Sequence, residues 1–82
     1  MFKNIIDETA SKDHGGFLHG DVRKSYDQAL NSVDFDHRPK AIKEFLINNG
    51  YQVTQYGEKS THHYAETSCG LYISSNGYVV KK

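Results

Sequence analysis

The stretch from residue 40 to residue 57, KAIKEFLINNGYQVTQYG, contains a change of hydrophobic period that decides the fold class. Its first part has four apolar residues at the spacing of one helical face: Ala41, Ile42, Phe45 and Leu46. Gly50 suits the end of that helix, because glycine adopts a left-handed backbone without strain. After Gly50 the period becomes two, which predicts a strand around Val53. The sequence therefore predicts an α+β domain, with helices first and strands after them.

Three further segments downstream have the composition of strands: HHYAETS from residue 62, GLYIS from residue 70 and YVVKK from residue 78. Asn76-Gly77 separates the last two and is typical of a two-residue hairpin loop. That loop would place Ile73 opposite Val80. The core face would then carry Leu71, Ile73, Tyr78 and Val80. The opposite face would carry Tyr72, Ser74, Val79 and Lys81.

Helical spacing recurs upstream of residue 40. Phe2, Ile5 and Ile6 share one face of a short helix predicted over residues 2–10. A second helix is predicted over residues 21–33 with Asp21 as its N-cap. The third helix is predicted over residues 39–49, because proline favours a first turn.

Two connecting segments complete the fold prediction. The glycine-rich residues 11–20 are predicted to form a loop anchored by Phe17 and Leu18, and Phe35 is predicted to pack inward. The whole prediction is three short N-terminal helices packed on one face of a C-terminal three- to four-stranded antiparallel sheet.

Composition limits both the size of the core and the kind of partner. The chain has 82 residues, the length of one small domain, which is predicted to span residues 1–82. The apolar fraction is only 37%, so a homodimer or a bound partner would supply buried area that the core lacks. Ten basic residues balance ten acidic ones. Because nucleic-acid-binding domains usually carry an excess of Lys and Arg, this balance favours another class of partner.

The start of the chain and its cysteine content predict a cytoplasmic location. The segment MFKNIIDETASKD lacks the apolar region of a secretory signal, and no apolar run approaches the length that spans a bilayer. The single cysteine, Cys69, cannot form an internal disulfide. Because the chain lacks a long apolar run, we also expect no contact with a membrane.

The segment from Gly15 to Gly20 has the G-x-x-x-x-G spacing of a phosphate-binding P-loop. A P-loop requires Lys and then Ser or Thr at the next two positions. Asp21 and Val22 occupy those positions, and a carboxylate there would repel phosphate. The sequence therefore favours a flexible loop over a nucleotide site.

Histidines are the main candidates for a metal site. His14 and His19 lie in the same loop, whereas His62 and His63 are adjacent and would point to opposite faces of a strand. Structural zinc usually has several cysteine ligands, and this chain has one. The sequence therefore predicts neither a metal nor another cofactor. The side chains that could contribute to such a site are His14, His19, His62, His63, Asp13, Asp21 and Cys69.

Nucleophilic catalysis would need Cys69 or a serine beside a histidine, with an orienting acid such as Glu66. No nucleophile elbow or cysteine-protease signature surrounds Cys69, which is predicted to be buried or half-buried. The sequence therefore assigns no catalytic residue and favours a protein that is not an enzyme.

Residues 40–68, KAIKEFLINNGYQVTQYGEKSTHHYAETS, resemble the toxin half of HicA-type toxin–antitoxin systems. In that family a helix ends at an Asn-Gly-aromatic corner, and a Gly-Ser-His turn after the next strand presents a catalytic histidine. Asn49-Gly50-Tyr51 matches the corner, and the resemblance implies that His62 or His63 is the histidine. Glu58 to Thr61 interrupt the turn, and the closing helix and the basic excess of the family are missing. The resemblance supplies an alternative function, an RNA-binding or RNA-cleaving domain.

Tyrosines are the most distinctive feature, since five of the six lie after residue 50. Tyrosine favours strands, but it is also enriched at binding hot spots because it combines a large apolar area with a hydroxyl group. Base stacking usually needs several nearby cations, and only Lys81 and Lys82 are evident. The sequence therefore predicts a contact surface for a protein partner around Tyr72, Val79 and Lys81. Tyr56 and Tyr64 are assigned to it as well, each depending on the strand register.

The function predicted from the sequence is that of a small non-enzymatic regulator or inhibitor of a partner protein. Neutral, motif-free chains of this size are frequent among accessory proteins of phages and mobile elements, which is the source class expected here. Nucleic acid is the less favoured partner.

Overall fold

The computed structural model describes all 82 residues and consists of three α-helices and one five-stranded sheet. The helices are α1 (Lys3–Ala10), α2 (Gly20–Asn31) and α3 (Arg38–Asn48), with a 3₁₀ turn at Phe35–His37 before α3. The strands are β1 (Gly16–Phe17), β2 (Val53–Glu58), β3 (His63–Thr67), β4 (Leu71–Ser74) and β5 (Tyr78–Lys81). All neighbouring strands are antiparallel, in the order β1-β5-β4-β3-β2. The predicted α+β class with an antiparallel sheet is confirmed.

Strand β1 is the main departure from the predicted topology. Gly16 pairs with Val79 and Phe17 with Tyr78, so part of the predicted loop at residues 11–20 is an edge strand. The sheet therefore has five strands rather than three to four, and one strand lies between the first two helices. Leu18 is buried as predicted, but Phe17 is 56% exposed and does not anchor the segment in the core.

Helix boundaries differ from the predicted ones by one or two residues. His19 is the N-cap of α2, so Asp21 lies inside the first turn. The helix ends at Asn31, which leaves Val33 outside it and exposed. In α1, Ile6 is buried but Ile5 is exposed. None of the three helices is long and apolar enough to cross a membrane.

All three helices pack on the same face of the sheet. Tyr26 of α2 connects the helices to the sheet. Its ring meets Phe45 of α3 edge-on at 5.0 Å, and its hydroxyl donates a hydrogen bond to the Ser74 carbonyl of β4 at 2.7 Å. Each fully buried aliphatic side chain contributes about 1.5–3 kcal/mol to this core. The core residues of the sheet are Ala65, Leu71, Ile73 and Val79, and the main ones of the helices are Ile6, Val22, Tyr26, Leu30, Ile42, Phe45 and Leu46.

The predicted register of the last hairpin is wrong by one residue. Ile73 pairs with Val79 rather than Val80, so Val79 points into the core with no exposed surface. A two-residue type I′ turn needs positive φ at both central positions, and Asn76 does not have it. The chain instead turns through a three-residue loop, in which the Gly77 amide donates to the Ser74 carbonyl at 3.0 Å. Gly77, with φ of +90°, supplies the left-handed residue of that loop.

Asp7 joins α1 to β5 and to the residues just before β2. Its carboxylate accepts hydrogen bonds from the Tyr51 hydroxyl at 2.5 Å and the Lys3 ammonium at 3.1 Å. Lys81 Nζ lies 3.7 Å away, so Lys81 is on the helix side of the sheet and not on the face predicted for it. Burial favours the neutral carboxyl, but the bonds from Tyr51 and Lys3 and the charge of Lys81 outweigh it and lower the pKa of Asp7.

Lowering the pH should therefore decrease the free energy of unfolding, in part through protonation of Asp7. A carboxyl whose folded pKa lies below its unfolded value stabilises the fold above the unfolded pKa, and this is lost as pH falls through the folded pKa. We expect urea denaturation to show a smaller loss of stability below about pH 5 in Asp7→Asn than in the wild type. Asp36→Asn, which changes an exposed carboxylate with no ion pair, is the control and should keep the wild-type pH dependence. Equal losses in Asp7→Asn and the wild type would contradict this role.

Candidate functional site

The face of the sheet that points away from the helices, called the outer face below, carries a row of aromatic rings. Residues paired across neighbouring strands share a face, and Ala65, Ile73 and Val79 point into the core. Their neighbours along each strand therefore point outward. The outer-face row consists of Tyr64, Tyr72, Val80, Tyr78 and Phe17.

Two aromatic pairs form this row. The rings of Tyr64 and Tyr72 are stacked, with centroids 5.7 Å apart and an interplanar angle of 14°. Phe17 and Tyr78 meet edge-on at 5.4 Å. The Tyr78 hydroxyl also donates to the His14 carbonyl at 2.5 Å, so the segment before β1 borders the row. The rings are therefore held in place by contacts within the domain, and a partner would not need to order them on binding.

Lysines cover the ring faces of the stacked pair. The Lys59 ammonium lies 4.9 Å from the centroid of Tyr64, and the Lys82 ammonium lies 4.9 Å from that of Tyr72. Lys82 also pairs with Glu66 at 3.1 Å. Tyr64 is only 8% exposed, so it supports Tyr72 rather than offering a free surface. A nucleic-acid base could stack on this pair only after displacing a lysine.

The hydroxyl of Tyr72 has a partner on the same face. His62 Nε2 lies 2.6 Å from it, and His62 Nδ1 lies 3.1 Å from the Thr61 hydroxyl. Burial, followed by the negative charge of Glu66 and the nearby Tyr64, raises the pKa of Tyr72. The phenol therefore stays protonated at neutral pH and orients the ring through His62.

Of the five residues predicted to contact a partner, the structure places Tyr64 and Tyr72 together on the outer face. Tyr56 pairs with Ala65, so it lies on the helix side at the edge of the sheet, where the Lys43 ammonium is 4.9 Å from its centroid. Val79 is in the core, and Lys81 binds Asp7. Phe17, Tyr78 and Val80 also lie on the outer face, so the prediction that Tyr78 and Val80 face the core is wrong.

The two adjacent histidines point to opposite faces of the sheet. His62 lies on the outer face, whereas the His63 side chain faces the helices and is 3% exposed. The ring of Phe35 packs on His63 with centroids 4.7 Å apart, and Phe35 is itself 64% exposed. The prediction that Phe35 packs inward is therefore wrong, because its ring covers the buried histidine from outside. The two imidazole rings therefore do not share a face of the sheet.

Cys69 lies in the turn between β3 and β4 and is exposed, which contradicts the predicted burial. A hydrogen bond with the Thr67 hydroxyl at 3.1 Å lowers the pKa of the Cys69 thiol. None of the three groups that could act as its catalytic partners binds it: Glu66 pairs with Lys82, His62 binds Tyr72, and His63 packs against Phe35. No group of three or more His, Cys, Asp or Glu side chains comes together in the structure.

Comparison with known proteins identifies no relative. The chain matches no protein-family model, and no curated protein or solved structure resembles it significantly. Any function must therefore be inferred from the surfaces described above.

Proposed function

We propose that this chain is a non-enzymatic domain that binds a partner protein through its outer face and thereby regulates or inhibits it. The observation that carries the proposal is the row of aromatic rings on a sheet face that no helix covers. Aromatic side chains with few rotatable bonds are enriched among the residues that dominate binding energy. Tyr72, Tyr78 and Phe17 are the ones with accessible surface.

The charges on the outer face favour a protein over nucleic acid. Affinity for phosphate backbones depends on several cations that are free to neutralise phosphates. Here one of the two lysines, Lys82, is paired with Glu66, and both lie on tyrosine rings. Since the whole chain also has ten basic and ten acidic residues, no long-range field attracts a polyanion. The partner surface that fits this face is apolar and carries little net charge.

Replacing Tyr72 with alanine should weaken the complex by about 2 kcal/mol, which is roughly a thirtyfold increase in Kd. The fold should survive, because Tyr72 is half-buried and lies outside the core. The partner is to be identified by affinity purification from the native host and mass spectrometry, and Kd measured by calorimetry with the purified protein. Tyr56→Ala is the matched control, since it removes an exposed tyrosine from the other side of the same sheet.

Equal weakening by Tyr72→Ala and Tyr56→Ala would place the contact elsewhere than on the outer face. Binding to RNA that falls steeply with salt would support the alternative nucleic-acid function instead. Light scattering at several concentrations tests the third outcome, a second copy of the chain as the partner. That outcome requires a dimer that Tyr72→Ala dissociates and Tyr56→Ala does not.

A further inference from the structure

A cavity of about 300 Å³ lies at the end of the sheet where the β2–β3 turn meets the start of α3. It is distinct from the aromatic row, although His62 and Lys59 border both. Three segments that are distant in the chain supply its walls: the 3₁₀ turn with the first residue of α3, residues 58–63, and the turn after β4. The polar side chains relevant here are Arg38, Lys59, Ser60, Thr61, His63 and Ser75.

Arg38 is the unusual group in this cavity. Its Nε is buried without a hydrogen-bond acceptor and its guanidinium forms no ion pair, so the two terminal nitrogens are the donors that a ligand can reach. The guanidinium lies over the ring of Phe35, with Cζ 5.2 Å from the centroid, which fixes its plane. A buried donor without an acceptor destabilises a fold, so such groups are rare and call for a physical reason. The other arginine, Arg23, shows the usual arrangement, with Nε bonded to both oxygens of Asp27 at 3.0 Å.

The surroundings of Arg38 have the composition of an oxyanion site. Guanidinium groups bind phosphate and carboxylate through two parallel N–H donors. Ser60, Thr61 and Ser75 line the same cavity, and a hydroxyl group can donate a hydrogen bond to an anion. His63 is held there by its ring contact with Phe35 and by the bond from its own amide to the Ser75 hydroxyl at 3.2 Å.

We propose that this cavity binds a phosphate group, with Arg38 as the principal ligand and the serine and threonine hydroxyls completing the site. Phosphate is favoured over carboxylate because it offers more acceptor oxygens to the three hydroxyls and the guanidinium. Glu58 also lines the cavity and opposes an anion, but it is 67% exposed and only 3.5 Å from His63 Nε2. Its carboxylate can therefore turn to water and leave Arg38 free.

The test is a titration of the ¹⁵N-labelled full chain with inorganic phosphate at constant pH and ionic strength. We expect saturable shifts of the amides of residues 58–63 and of Ser75. Arg38→Gln should weaken binding by roughly tenfold to a hundredfold, the loss typical of a charge-assisted hydrogen bond. Arg23→Gln removes the same charge from a site outside the cavity and should bind phosphate like the wild type. Linear, unsaturated shifts, or equal losses in the two variants, would overturn the proposal.

Arg38→Lys is the second variant, in case Arg38→Gln fails to fold. It keeps the charge but loses the planar pair of donors. It should fold and bind several times more weakly than the wild type, whereas unchanged affinity would contradict recognition by the guanidinium. Phenyl phosphate distinguishes the source of the phosphate group. Tighter binding than inorganic phosphate, with Phe35→Ala weakening phenyl phosphate more than inorganic phosphate, indicates a phosphomonoester whose organic part contacts Phe35. Equal or weaker binding indicates free phosphate.

Discussion

Val79→Lys should unfold the domain, whereas Val80→Lys should leave it folded. The two residues are adjacent in β5, but Val79 has no exposed surface and pairs with Ile73 in the core. Val80 is half-buried and lies on the outer face beside Tyr72. The two variants therefore add the same charge at adjacent positions, and we expect opposite effects on folding.

The size of the effect follows from the cost of burying an ammonium group without a partner. Lys81 and Lys82 follow in the chain, and Asp7, the carboxylate that faces β5, already binds Tyr51, Lys3 and Lys81, so it does not compensate the new charge. The penalty of several kcal/mol is comparable with the whole stability expected of a small domain, about 5 kcal/mol. At position 80 the flexible lysine can extend its ammonium to water, at a cost of roughly 1 kcal/mol or less.

Circular dichroism with urea denaturation, supported by amide dispersion in NMR spectra, decides between the two registers. The structure requires a folded Val80→Lys and an unfolded Val79→Lys. The two-residue loop at Asn76-Gly77 requires the reverse, because it would place Val80 in the core and Val79 on the outer face. Folding of both variants with wild-type stability would contradict both arrangements.

The α3–β2 corner could be predicted from the sequence because its determinants are local. The stripe from Ala41 to Leu46, Gly50 at the helix end and the change of period at Val53 all act within a few residues. The structure has α3 ending at Asn48 and β2 starting at Val53, with Gly50 at φ of +92° between them. At this corner the local sequence preferences for a helix, a helix end and a strand agree with the structure.

The face of β5 could not be predicted in the same way. Val79 and Val80 are both apolar, so alternation does not show which one is buried. The length of the preceding loop decides it, and that loop depends on side-chain bonds: Asn76 Oδ1 accepts from the Ser74 hydroxyl and from the Tyr78 amide. Turn composition alone favoured the shorter loop. A one-residue change in loop length moves every later side chain to the other face.

The candidate site follows the same division between local and distant determinants. Tyr72 could be placed on the outer face because it lies next to a core residue, Ile73, in a regular strand, whereas the face of Tyr64 depends on a strand register that the sequence leaves open. Phe17 could not be placed there, since β1 has two residues and joins the sheet only through distant β5. No periodicity can be detected over two residues, so the edge of the aromatic row was missing from the sequence prediction.

The attachment of β1 to β5 leads to the second large effect, Gly15→Ala, which has an internal control in Gly20→Ala. Both glycines have positive φ, +73° at Gly15 and +71° at Gly20. Alanine in this conformation costs roughly 1–2 kcal/mol at either position. A Cβ at Gly20 would meet no atom within 4 Å. The difference in stability between the two variants therefore measures only the steric contacts of the added methyl group.

A Cβ at Gly15 would lie 2.4 Å from the Val79 carbonyl oxygen, 2.8 Å from the Tyr78 hydroxyl and 2.9 Å from Val80 Cβ. The first contact is with backbone, which cannot move without disturbing β5, so β1 and the segment before it must move away. We expect Gly15→Ala to cost about 2 kcal/mol more than Gly20→Ala in urea denaturation, in the range known for overpacking. Its amide shifts should change in β1 and β5. Equal stabilities of the two variants would show that residues 13–17 do not pack on β5 as described, and Phe17 would then not belong to the outer-face row.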